Sequence, residues 1–147
     1  MRRRQVLIAV VPMTGAAWAT PAIAASSRLP SECRWLPGRW RSDVEPTMAH
    51  FTLRGRTPAL QHRARIADLF GRMTHTFTPT RFVAEQVLDT GTIRIESGYR
   101  VSRFTSSSVT LVFPDAPEPM PETTLYRSGD RYVVRSGDNF EYFRRID

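Results

Sequence analysis

The sequence predicts an antiparallel up-and-down β-barrel or half-barrel of about eight strands, with one main helix inserted after the first strand. Three observations carry this. From residue 73 to the end, apolar and polar residues alternate with a period of two, in runs rich in threonine, valine and aromatic residues. Short turn signals recur between those runs: Asp89-Thr90-Gly91, Ser128-Gly129-Asp130 and Ser136-Gly137-Asp138-Asn139. One stretch of helical periodicity, 58–70, stands apart from that pattern.

The 147 residues suit one domain. Met1-Arg2-Arg3-Arg4 is a basic start, Val6 to Ala19 carries no charge, and Ala22-x-Ala24 is the small-x-small pattern of a cleavage site. A signal peptide over 1–24 follows, with a periplasmic or secreted mature protein. Arg3-Arg4-Gln5-Val6-Leu7 fits the twin-arginine export pattern. Three arginines also serve as an ordinary basic start, so both routes stay open. The uncharged run is too short to span a bilayer comfortably, and no transmembrane segment is expected in the mature chain. All 21 basic residues are arginine against 14 acidic ones, a net charge of +7. Three of those arginines belong to the leader, so the mature excess is modest and suits solubility; the export compartment and the lack of a known motif argue against a nucleic-acid partner.

Residues 25–34 read as a flexible lead and 35–147 as the single domain. The lone cysteine, Cys33, excludes an intrachain disulfide and a multi-cysteine zinc site. It reads as a half-buried thiol or a reactive one, with a disulfide dimer as the check; the protein is otherwise read as a monomer. Gly38 to Ser42 forms the first strand. Glu45-Pro46-Thr47 opens a short helix, with Pro46 at its first position. Thr57 caps the main helix and Pro58 enters its first turn. Leu60, Ala64, Ala67 and Phe70 make its apolar side, and Gly71 ends it. Arg54 and Arg56 lie where the helix dipole prefers anions. Met73, His75 and Phe77 then share one strand face. Phe82 to Gln86 is the next strand, and Ile93 and Ile95 begin another, with a bulge or bend at Ser97-Gly98. Tyr99, Val101 and Arg103 are read on one face, Arg100, Ser102 and Phe104 on the other. Val109 to Phe113 precedes a proline-rich, acidic loop over 114–121. Three strands, 122–127, 131–135 and 140–146, close the chain.

Gly38-Arg39-Trp40 resembles the Gly-x-Trp motif that opens the first strand of lipocalin-like proteins. That resemblance implies that Trp40 sits at the closed end of the barrel, with Arg144 or Arg145 lying across its indole. Such a contact covers a large ring and ties the last strand to the first. Trp35 to Trp40, Leu69 to Thr74 and Tyr142 to Arg145 together resemble small exported bacterial proteins of this fold, a likeness that implies no activity. Helix position, the short mature length and the missing disulfides depart from the lipocalin pattern.

The chemistry is sparse. His50, His62 and His75 show no metal-ligand spacing, so neither a metal nor another cofactor is expected. Asp43 with Glu45, and Glu85 with Glu96, are the carboxylate pairs, without a nucleophile motif beside them. Ser107 and Ser128 are turn serines, and no enzyme activity is predicted. Binding has the better warrant: a small apolar or amphipathic ligand, or alternatively an envelope protein. Phe77, Phe82, Tyr99, Leu111, Phe113, Tyr126, Tyr132 and Tyr142 are the lining candidates, with His75 and Arg103 as polar members. An enclosed ligand requires a connected cavity inside the barrel. An interaction surface requires a filled interior and exposed apolar residues.

Overall fold

A computed structural model describes residues 28–147; the expected signal peptide and residues 25–27 lie outside them. The elements are β1 (Gly38–Ser42), α1 (Val44–Ala49), α2 (Leu60–Gly71), β2 (Met73–Phe77), β3 (Arg81–Leu88), β4 (Gly91–Gly98), β5 (Arg100–Phe104), β6 (Ser108–Val112), β7 (Thr123–Ser128), β8 (Arg131–Ser136) and β9 (Asn139–Arg145). All nine strands form one sheet in the order β4-β3-β2-β1-β9-β8-β7-β6-β5. Every pairing is antiparallel, and the β1–β9 ladder joins the two ends of the chain. The result is the expected curled half-barrel, with the main helix between β1 and β2.

The ninth strand comes from a bend. Because each neighbour is antiparallel, β4 and β5 must point the same way, and only Tyr99 separates them. They are two halves of one strand. Among the described residues its first half pairs only with β3 and its second only with β6. Followed around the sheet, the register returns to Tyr99 shifted by about twelve residues, which inclines the strands steeply to the barrel axis.

Two prolines account for the break. Continued past Gly98, the β3–β4 register would set Arg100 opposite Pro79. Continued before Arg100, the β5–β6 register would set Gly98 opposite Pro114. Proline has no N–H to extend either ladder. Asp115 secures the corner instead. It accepts a 3.0 Å hydrogen bond from Ser97 Oγ, and the Gly98 backbone N–H holds its carboxyl below the usual range.

Side-chain alternation places Trp40, Phe77, Phe82, Leu125, Tyr132 and Phe143 inside, with Val109 and Leu111, in one core. Within the described part of the lead, Ser31–Cys33 forms a 3-10 turn, Cys33 is fully buried in the core and Leu29 packs against it. Leu36, just beyond, is fully buried as well. The 114–121 loop is likewise tied down, through Ala116 and Met120.

The helices differ in detail from the sequence reading. α1 begins two residues before Pro46. α2 begins at Leu60, after Ala59 and without a side-chain cap, so Thr57 does not cap it. No residue of α2 is fully buried; Arg63, Ile66, Ala67, Phe70 and Gly71 are its half-buried positions.

Candidate functional site

Trp40 and Arg145 are direct partners across β1 and β9, on the inner face. The guanidinium lies over the indole and donates to Trp35 O at 2.5 Å and to Pro37 O at 3.1 Å. Trp40 Nε1 donates to Leu36 O at 3.0 Å. Gly38 explains the glycine of the motif: a β-carbon there would collide with Arg145 Nη1. Arg144 is on the outer face, opposite Arg41. This end of the barrel is closed by packing.

Above it lies an aromatic stack. His75 is parallel to Phe143 at 4.2 Å between centroids, and Phe143 to Tyr132 at 4.9 Å. Phe82 meets His75 edge-on at 5.0 Å. His75 Nδ1 and the Tyr132 hydroxyl share a 2.5 Å hydrogen bond. The residue keeps some accessible surface, but its ring is enclosed, and burial pushes its pKa down to about 3. His75 is therefore neutral at ordinary pH. Burial also raises the Tyr132 hydroxyl well above its usual range. Phe77, Phe82, Tyr99, Leu111, Phe113 and Tyr132 all fall in this packed interior. They pack against one another and against the rest of the core.

Three lining candidates are not inside. Tyr126 follows the inward Leu125 and projects outward, half exposed. Tyr142 precedes the inward Phe143 and takes the outer face, its N–H donating to Thr47 Oγ1 of α1. Arg103 is turned out by a register shift between Val101 and Arg103, and pairs with Glu122 at 3.6 Å. That bulge reverses the expected faces. Phe104 now sits opposite Val109 on the inner side and Arg103 opposite Thr110. Periodicity alone does not reveal such a shift.

The bend also leaves apolar side chains uncovered. Ile93 and Ile95 share the inner face of β4, opposite Gln86 and Ala84, yet are 50% and 41% exposed. Phe104 is 45% exposed on the inner side of β5. A closed barrel would bury all three. The outer face of β4 is polar and tied by ion pairs: Arg94 to Glu85 at 2.9 Å and Arg81 to Glu96 at 2.7 Å. Arg81, with Arg94 next, holds Glu96 below the usual carboxylate range. Among the described residues the β4 edge away from β3 has no partner strand.

The carboxylates of the sequence-predicted pairs are held by arginines. Asp43 is engaged by Arg131 at 2.6 Å, and Glu85 and Glu96 belong to the pairs just described. Among the described residues, no group of three His, Cys, Asp or Glu side chains converges as a metal site. Two concavities stand out, both outside the barrel. One, of about 480 Å³, is at Leu53, Arg54 and Arg56. The other, of about 380 Å³, lies between α1 and α2. Among the described residues no helix is long and apolar enough to cross a membrane. Comparison with known proteins returned no matching family model, no significantly similar curated protein and no significantly similar solved structure.

Proposed function

We propose that this is an exported, non-enzymatic binding protein of lipocalin-like build, whose recognition surface is the open side of the half-barrel along β4. Its occupant is an extended, apolar-rich segment of an envelope protein, added as a further strand. The exposure of the inward-facing Ile93 and Ile95 on an unpartnered edge carries the reading. Such an edge supplies backbone hydrogen bonds for affinity and alternate side-chain contacts for specificity. It is also a liability that a protein left bare would be expected to blunt. A second reading is an elongated apolar small molecule laid along the same trough. Phe104, inward-facing on the other half of the bent strand, favours it. An enclosed ligand is not favoured, because rings fill the interior.

The test is selection of random peptides on the immobilised protein, followed by calorimetric titration of the best one. The expected sequences alternate apolar and polar residues, and Ile95→Glu weakens binding by about tenfold or more, as loss of a central apolar anchor does. No selected peptide, but saturable binding of the fluorescent fatty acid parinaric acid that Ile95→Glu abolishes, would install the small-molecule reading. Indifference of both probes to Ile95→Glu would reject the β4 site. An intact mass beginning at Ala25 for protein taken from its own cells would support export, and a mass that retains residues 1–24 would count against it.

A further inference from the structure

We propose that the face formed by α1, the turn before α2 and α2 itself docks on an anionic phospholipid bilayer. Between Glu45 and Asp68 the chain has no acidic residue and four arginines. Arg63 is occupied, donating to Met48 O. Arg54, Arg56 and Arg65 are exposed and form no ion pair among the described residues.

The backbone presents these charges deliberately. Leu53 and Arg56 bond to each other reciprocally, at 2.8 and 3.1 Å, around Arg54 and Gly55. Both central residues have positive φ, 52° and 73°, the geometry of a tight type I′ turn. Arg54 is the one non-glycine residue in that region among those described. A non-glycine residue whose backbone adopts this disfavoured conformation at a turn tip points to a surface role.

Apolar groups accompany the charge. Leu60 is 82% exposed and Leu53 54% exposed. Arg56 and Leu60 are four residues apart, so the turn and the helix start lie within about 14 Å. Behind Leu60, the groove between α1 and α2 is walled mainly by Val44, Met48, Ala64 and Ala67, with Glu45 and Arg63 at its margin. An amphipathic helix none of whose residues is more than half-buried in its own fold, with arginines beside exposed leucines, matches an interfacial anchor. Leucine enters the acyl boundary while arginine meets phosphate.

The test uses the protein as its own cells accumulate it, with the N-terminus read by mass. Leu60→Cys is labelled with an environment-sensitive dye; Cys33 is fully buried and stays unlabelled. A second sample carries the dye at Ser106→Cys, in an exposed turn away from this face. On vesicles of phosphatidylcholine with phosphatidylglycerol, the dye at 60 should shift to the blue and the dye at 106 should not. Pure phosphatidylcholine should give neither shift. Arg54→Gln, Arg56→Gln and Arg65→Gln together should weaken vesicle binding about a hundredfold, as loss of three surface cations predicts. These residues are exposed, so an unchanged thermal melt certifies the fold. No shift at 60, an equal shift at 106, or an affinity unmoved by the triple substitution overturns the proposal.

Discussion

The guanidinium carbon of Arg145 lies 4.5 Å from the centre of the Trp40 ring, and the two residues are partners across the β1–β9 ladder. One contact therefore joins the first strand to the last and covers the indole. Trp40→Ala should lower stability by about 3–5 kcal/mol, the range for emptying a large aromatic site. Arg145→Ala should cost about 2 kcal/mol, through the cation–π contact and the carbonyls it leaves unpaired. Gly38→Ala should behave similarly, because the new methyl expels the same guanidinium. Arg144→Ala should stay within about 0.5 kcal/mol. Urea unfolding of the four variants checks the order; equal effects of Arg144 and Arg145 would refute it.

The enclosed ring of His75 makes stability depend on acid. Its pKa is near 3 when folded and 6.5 when free. Between those values the unfolded chain binds a proton that the folded chain refuses. Stability should therefore fall as pH drops from 6.5 toward 3, by up to about 1.4 kcal/mol per unit from this residue. His75→Phe, which keeps a stacked ring but leaves the Tyr132 hydroxyl without its partner, should flatten the decline even if it lowers stability at pH 7. Urea midpoints of both proteins across that range decide it.

Glu141 acts in the opposite sense. Burial raises its pKa, against the lowering effect of a hydrogen bond with Ser136. A carboxyl whose folded pKa is raised stabilises at low pH and loses that advantage as pH rises through the folded value. Glu141→Gln should raise Tm at pH 8 relative to the parent and give little gain at pH 4. A gain independent of pH would show that charge is not the cause.

Among the described residues, Ser42 Oγ is buried without a hydrogen-bond partner. Leaving such a group dry costs about 1–3 kcal/mol. Ser42→Ala should therefore raise stability by about 1 kcal/mol, read as a shift of the urea midpoint at constant slope.

Cys33 should be inert in the folded protein. It is fully buried, and burial, with nearby Glu32 second, raises its thiol pKa. A thiol reagent should react only at the rate of unfolding. Rapid native labelling, or a disulfide-linked dimer on a non-reducing gel, would contradict this.

Much of the fold was legible because it rests on local physics. Alternation from Met73 onward marked the strands to within about two residues, since one face had to be buried and the other wet. The closing contact was implied by the resemblance of Gly38-Arg39-Trp40 to a lipocalin-like motif, and only packing chose Arg145 over Arg144. What stayed hidden was non-local. A bulge at Ser102 exchanged the faces of Arg103 and Phe104, and one inserted residue is invisible to a count of two. Tyr126 and Tyr142 looked like lining because aromatic residues suit an interior, but strand phase put them outside. The open edge of β4 is the deepest case. Pro79 and Pro114 stood in the sequence as loop residues, yet their effect depended on which residues they would have faced. By itself, then, the sequence determined an antiparallel curled sheet with one inserted helix, because side-chain period and turn chemistry are properties of neighbours along the chain. Only the tertiary structure decided that the barrel bends open at Tyr99 and fills its interior with rings. Both outcomes depend on register between strands distant in sequence, where a proline or an extra residue acts on its partner.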